Sequence, residues 1–260
     1  MILLLGGTSE TASIAVALSL AGYMVLVSMA TEISLNAKLP HGVSLRRGRL
    51  TELEMTALIR EKNIRAILDA THPYAEKARA TARHAAAVAG IYYTTFVRPE
   101  AICEKDGIQR VHSHEEAAIA AFTYKKSVLL TTGSGNLHPY TRESERTGVA
   151  LFTRVLPQAY SVNACRMAGI PESRIITGRG PFSVEENIRQ IREHKIGTLV
   201  IKDSGVAGGV IEKMEAARRE NCHVLAIARP RRVSGNVFSD ISPLLEQFKI
   251  QVCPNADRNR

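Results

Sequence analysis

The chain has 260 residues, 45% of them hydrophobic, with only 5% aromatic, no tryptophan and a formal net charge of +9. Such a length can form two α/β domains of roughly 100–130 residues, and the aliphatic bias suits buried parallel strands rather than a base-stacking surface, so nucleic acid is not an expected partner. No apolar run reaches membrane-spanning length and the apolar start breaks at Gly6-Gly7 without a basic leader, so neither a signal peptide nor a membrane partner is expected and a cytoplasmic location is.

Met1-Ile2-Leu3-Leu4-Leu5 enters Gly6-Gly7-Thr8-Ser9-Glu10 and then an Ala-rich amphipathic stretch. That is a strand, a tight turn and a helix start. Glycines let a backbone approach a ligand closely, and the free N–H groups at a helix N-terminus favour a phosphate. A nucleotide cofactor and a plain structural turn both fit, because the full G-x-G-x-x-G fingerprint is absent. Gly7→Val would test the phosphate reading if Gly7 has an ordinary extended backbone.

Strand-like runs at about 2–5, 23–28, 43–46, 64–68 and 91–96 alternate with helical patterns at about 9–21, 51–62 and 74–89. The alternation predicts a parallel sheet covered on both faces. The pattern breaks at about 106–114, near Asp106-Gly107, and a short helix follows at about 114–121. It then restarts at Val128-Leu129-Leu130-Thr131-Thr132-Gly133-Ser134-Gly135-Asn136. Further strands fit at about 149–154, 173–178, 197–201 and 223–228, with helices at about 158–168, 183–194 and 209–220. The expected division is residues 1–110, 111–253 and a frayed tail, 254–260.

Ligands of open parallel sheets bind beyond the carboxyl ends of strands. Asp69-Ala70-Thr71-His72-Pro73-Tyr74-Ala75 occupies such a place, with Pro73 expected to open a helix. So does Lys202-Asp203-Ser204-Gly205-Val206-Ala207-Gly208-Gly209, where Lys202 and Asp203 either pair with each other or serve a site. Arg179 in Gly178-Arg179-Gly180-Pro181-Phe182-Ser183 could grip a carboxylate in two-pronged fashion, although Ser183 with Glu185 and Glu186 is also an ordinary helix start. No acid directly ends the second strand at Val27-Ser28-Met29-Ala30-Thr31-Glu32, so Ser28, Thr31 and the Arg46-Arg47-Gly48-Arg49 cluster favour a 2′-phosphate, hence NADPH, with NADH not excluded because Glu32 is near.

Cys103, Cys165, Cys222 and Cys253 form no C-x-x-C pair and read as free thiols in a reducing compartment; His112-Ser113-His114 has no third ligand nearby, so no metal is expected. No tyrosine is followed by lysine four residues later, which removes a short-chain dehydrogenase relay, and neither a G-x-S-x-G elbow nor a P-loop lysine motif is present.

The Gly6-Gly7-Thr8-Ser9-Glu10 turn, Gly48-Arg49-Leu50, the 69–75 segment, Arg98-Pro99, Arg154-Val155-Leu156-Pro157, Gly180-Pro181-Phe182-Ser183, Lys202-Asp203-Ser204-Gly205 and Arg229-Pro230 together resemble the precorrin-6A reductase family. That resemblance implies an α/β fold of two facing Rossmann-like domains with mainly parallel sheets, between which strands can be exchanged. It implies reduction of a double bond of precorrin-6A or its cobalt-containing counterpart by a nicotinamide cofactor, in cobalamin biosynthesis. The first domain would hold the cofactor, at Gly6, Gly7, Thr8, Ser9, Glu10, Ser28, Thr31, Arg49 and Thr71, and the second the macrocycle.

A corrin precursor carries many carboxylates, which gives the net charge a purpose. Arg179, Lys202 and the basic residues from Arg229 to Arg232 are candidates for them, joined by Tyr74, Gly133, Ser134, Pro181, Ser204 and Gly205 as substrate contacts. Lys202, Asp203 and His72 are candidates to donate or relay the proton, a task that solvent could also perform. Handover to neighbouring pathway enzymes is a further expectation. The competing readings are a tetrapyrrole methyltransferase using S-adenosylmethionine and a non-enzymatic nucleotide-sensing regulator.

Overall fold

A computed structural model describes residues 1–30, 40–102, 108–230 and 236–252. The chain divides into two compact units, Met1–Arg98 with Arg231–Arg260, and Pro99–Pro230.

In the first unit, β1 (Ile2–Leu5), β2 (Val25–Met29), β3 (Val43–Arg47), β4 (Ala66–Asp69) and β5 (Tyr92–Phe96) alternate with α1 (Thr11–Leu20), α2 (Glu52–Glu61) and α3 (Glu76–Ala89). Every pairing is parallel, and the strand order is β3-β2-β1-β4-β5. Side chains alternate across a strand. Ile2 and Leu4 therefore join Ile14 and Leu18 of α1 on one face, while Leu3 and Leu5 join Met55 and Ile59 of α2 and Ala82, Ala85 and Ala86 of α3 on the other.

The second unit contains β6 (Gln109–Val111), β7 (Ser127–Leu130), β8 (Leu151–Val155), β9 (Ile175–Thr177), β10 (Ile196–Lys202) and β11 (His223–Ile227). Its helices are α4 (His114–Thr123), α5 (His138–Thr147), α6 (Ala159–Met167), α7 (Val184–Glu193) and α8 (Val210–Arg219). The sheet is again parallel throughout, in the order β9-β8-β7-β10-β11-β6.

Both sheets share one plan, three strands wound one way and three the other, with the reversal between β1 and β4 in the first and between β7 and β10 in the second. The sixth position is filled reciprocally. β6 follows the first unit's fifth strand in sequence but completes the second sheet beside β11. The last strand, β12 (Val237–Phe238), follows β11 in sequence but pairs with β5 in the first sheet, and α9 (Ile241–Gln251) continues from it.

This corrects the expected boundary, since residues 237–251 were assigned to the second domain. The physical reason is local anchoring: Thr94 Oγ1 donates to the Asn236 carbonyl at 2.8 Å, Tyr23 Oη donates to the Val252 carbonyl at 2.8 Å, and Phe248 of α9 lies fully buried edge-on to Tyr23 and Tyr92. The tail, 254–260, lies outside the described residues.

Two local expectations also change. Pro73 sits in a turn, and α3 starts only at Glu76. The segment 173–178 is part turn, with a 3-10 turn at Glu172–Arg174 preceding β9.

Candidate active site

The reversal point of the first sheet lies between the loops after β1 and β4, and Thr8 Oγ1 joins them by donating to the Ala70 carbonyl at 3.2 Å. Gly6 continues the ladder to Ser28 and cannot gain a side chain, because a Cβ there would stand 2.5 Å from Thr11 Cγ2. Gly7 has φ +141° with open space around its absent side chain. The condition for the Gly7→Val test is therefore not met: any side chain strains the backbone before it meets a ligand.

Thr11 Oγ1 accepts from the Gly7 and Thr8 amides at 3.2 and 3.3 Å, and the first turn of α1 carries no acidic residue. Glu10 faces Arg98, which donates from Nε to both carboxylate oxygens at 2.7 Å and from Nη2 to Ser9 Oγ at 2.7 Å. Burial pulls the Glu10 carboxyl upward, but the hydrogen bond and charge of Arg98 outweigh it and leave the net value below normal. The expected cofactor contact Glu10 is thus a tether for Arg98, and the Arg98-Pro99 motif gains a structural purpose.

At the end of β2, Ser28 lies opposite Arg46 in register, and Arg46 Nη1 donates to Ser28 Oγ at 3.4 Å and to the Gly48 carbonyl at 2.6 Å. Arg49 is exposed. Thr31 and Glu32 lie outside the described residues, as do Arg231 and Arg232.

After β4, Asp69 is 1% exposed and accepts from Thr71 N at 2.9 Å, Thr71 Oγ1 at 2.6 Å, Arg79 Nε at 3.3 Å and Tyr93 Oη at 2.9 Å. Thr71, expected at the cofactor, is held in this turn. Burial and then the Asp69 charge push the Tyr93 phenol upward. His72 accepts the Tyr74 amide at Nδ1 at 3.4 Å, and its ring lies 5.6 Å from that of Tyr74.

The second sheet reverses between β7 and β10. Here the half-buried Lys202 donates from Nζ to the Thr132 carbonyl at 3.3 Å, while Thr131 donates to the Val200 carbonyl from N and Oγ1, both at 3.0 Å. Burial lowers the Lys202 pKa. Gly133, at φ +85°, and Ser134 continue the loop after β7.

Asp203 is 5% exposed and accepts from the Ala101, Ile102 and Gly205 amides as well as from Arg229. Its ion pair is with Arg229, at 3.2 Å, and Arg229 also donates to the Asp203 and Pro99 carbonyls at 2.9 and 3.0 Å. Arg229, expected at the substrate, and Asp203, expected in the proton relay, are therefore brought together, with both side chains buried.

Ser204 Oγ donates to the Gly208 carbonyl at 3.4 Å, and Gly205 takes φ +79°. Arg179 and Pro181 are exposed on the neighbouring loop, and Arg179 makes no hydrogen bond or ion pair with any described residue.

One group escaped the sequence reading. His114, the first residue of α4, lies with Nδ1 3.0 Å from the hydroxyl of the fully buried Tyr140. Burial and then the Lys202 charge, partly opposed by Glu115, push the imidazole down to about 4. The signal was the second histidine of His112-Ser113-His114, considered there only as a metal ligand. His72 belongs to the first unit, whereas Lys202, Asp203 and His114 belong to the second.

Two parallel six-stranded sheets, each with a glycine turn and polar strand ends at its reversal point, define an α/β protein with two Rossmann-like halves. The chain belongs to the precorrin-6x reductase family, CbiJ/CobK, whose model matches residues 1–249. It is 35% identical to a cobalt-precorrin-6A reductase of Priestia megaterium over 92% of this chain and 94% of that one. It is 31% identical to a precorrin-6A reductase of Mycobacterium tuberculosis, over 90% and 91%. The fold matches a solved structure of CobK precorrin-6A reductase with TM-score 0.77 over 98% of each chain, at 22% identity. The activity is accordingly that of an NAD(P)H-dependent oxidoreductase reducing precorrin-6A or cobalt-precorrin-6A in cobalamin biosynthesis, with a reduced nicotinamide as cofactor. The open turn at Gly7 and the acid-free first turn of α1 fit the pyrophosphate of such a cofactor. No described helix is long and apolar enough to cross a membrane.

Proposed function

We propose that the first unit binds NADPH and the second the polycarboxylate macrocycle. The cofactor side rests on the Gly6–Glu10 turn for pyrophosphate and on Ser28, Arg46 and Arg49 for a 2′-phosphate. When bound, the cofactor supplies a hydride. The observation that carries the macrocycle side is the position of a cation at the β10 end. Lys202 donates to the Thr132 carbonyl at the reversal point of the second sheet, the place where ligands of open parallel sheets bind, and Asp203 beside it pairs with Arg229.

An ammonium whose pKa burial has lowered is a stronger acid and a better partner for a carboxylate in a low-dielectric place. Lys202 therefore holds a macrocycle carboxylate or delivers the proton. Arg179 adds a second, two-pronged carboxylate contact, and Gly133, Ser134, Ser204 and Gly205 allow close approach of the ring. Asp203 and Arg229 fix the loop that carries Ser204. In the first unit, His72 is the candidate for proton handling, and Tyr74 the candidate ring contact.

The proposed compartment is the cytoplasm, supported by the thiols of Cys165 and Cys222. Handover of product to the next enzyme is part of the same reading. An anaerobic assay with both macrocycle forms and both nicotinamides tests the proposal: reduction with NADPH favoured supports it, and macrocycle reduction that is indifferent to Lys202→Met removes its central residue.

A further inference from the structure

The Arg154-Val155-Leu156-Pro157 motif and Lys213 have no part in the assignments above. Both place a cation beneath the loops assigned to the macrocycle. Arg154, 6% exposed on β8, donates from Nη1 to Asn187 Oδ1 at 2.8 Å and Gln190 Oε1 at 2.7 Å, and its guanidinium stacks 4.1 Å from the centre of the Phe182 ring. That ring leaves no room for a side chain at Gly178, where a Cβ would stand 2.7 Å from it.

Lys213 closes the first turn of α8, where the helix dipole opposes a cation. Its Nζ nevertheless folds back to the Gly208 carbonyl at 3.1 Å, the same oxygen that accepts from Ser204 Oγ. Gly208 N closes the turn on the Gly205 carbonyl at 2.9 Å, and a Cβ on Gly209 would stand 3.3 Å from Pro181 Cβ. The two loops therefore touch, each with a cation under it.

We propose that Lys213 is a positioning residue, a latch that holds the Gly205–Gly209 turn, and through Pro181 the Gly178–Ser183 loop, in the shape that receives the macrocycle. The inference rests on the assignment of these loops to substrate. Burial first and Arg154 second push the Lys213 pKa to about 8, against the opposing charge of Glu212, whose Oε2 is buried without a hydrogen-bond partner. Arg154 from β8 and Glu212 from its own helix are thus the charges acting on Lys213, and Glu186 acts in turn on Arg154. A charged donor bonds roughly twice as strongly as a neutral one, so the latch is tight below about pH 8 and slack above it.

The effect on overall stability has the opposite sign. Because the folded pKa is depressed from 10.5 to about 8, the unfolded chain binds more protons between those values, and this lysine's contribution to stability rises with pH there. Loosening of the turn across that window is consequently not global unfolding through Lys213.

Hydrogen exchange of the 205–209 amides in the ligand-free protein, corrected for intrinsic rates and run beside steady-state kinetics, tests the latch. Wild type should lose protection as pH passes about 8, Lys213→Met should lack it throughout, and Lys213→Arg should keep it at high pH. In parallel, Lys213→Met should lower kcat/KM for the macrocycle by roughly tenfold or more while sparing KM for NADPH, and Lys213→Arg should abolish the alkaline limb. Wild-type protection and wild-type kinetics in folded Lys213→Met would overturn the latch. Protection that follows the charge in a protein reducing no macrocycle would overturn the substrate assignment and leave the latch standing.

Discussion

Arg229 holds Asp203 at 3.2 Å in an ion pair whose two side chains are each 7% exposed. The carboxylate also gathers amides from Ala101, Ile102 and Gly205, so the chain entering and the chain leaving the second unit meet on one residue. Removing the guanidinium strands a buried charge. Arg229→Met should cost about 3–5 kcal/mol in urea unfolding, and adding Asp203→Asn should recover part of it. A loss below about 1 kcal/mol would mean that water replaces Arg229 there.

Lys202→Met should reduce turnover of the macrocycle strongly while leaving cofactor affinity near wild type. His114 offers an independent reading by NMR. Its midpoint, about 4 in wild type, should rise in Lys202→Met yet stay below the ordinary 6.5, because burial is the larger cause. The depressed value also means that, for this group, stability is present above about 6.5 and is lost as pH falls toward about 4, when the unfolded chain takes a proton that the folded one refuses. A His114 midpoint unmoved by Lys202→Met would place the ammonium too far away to act on it.

Ser28→Asp installs the acid that the end of β2 lacks, beside Arg46. The ratio of kcat/KM for NADPH over NADH should fall by roughly tenfold or more, about 1.4 kcal/mol in transition-state binding. An unchanged ratio would show that the 2′-position is recognised elsewhere.

Ala12→Asp separates helix from ligand. An acid in the first turn of α1 should stabilise the helix by about 0.3–1 kcal/mol, yet weaken nicotinamide cofactor binding by repelling the pyrophosphate. Thermal melting and fluorescence titration should therefore move in opposite senses. Tighter or unchanged cofactor binding would remove the pyrophosphate from this turn.

The βα alternation of both halves was legible because Leu3-Leu4-Leu5 and Leu199-Val200-Ile201 are apolar runs feeding loops rich in glycine. Helix α5 was not, since His-Pro-Tyr-Thr-Arg-Glu-Ser-Glu-Arg-Thr offers no apolar stripe and buries only Tyr140 and Glu143. Strand β12 has two residues and owes its place to partners more than 140 positions away, such as Thr94. At the site, sequence located the strand ends. It could not pair the charges: Asp203 adjoins Lys202 in sequence but meets Arg229, twenty-six residues on, and Glu10 meets Arg98.

The reciprocal sixth strands set an order of assembly during synthesis. All six strands of the second sheet have been made once residue 227 is out, whereas the first sheet, although its five leading strands are made earliest, waits for β12 and for the Phe248 side chain that fills its face. The usual expectation that the N-terminal domain finishes first is reversed. A nascent chain stalled with residue 227 outside the exit tunnel and β12 still inside it should therefore carry a protease-resistant middle of the chain and a protease-sensitive beginning, and a C-terminal deletion should damage the N-terminal unit.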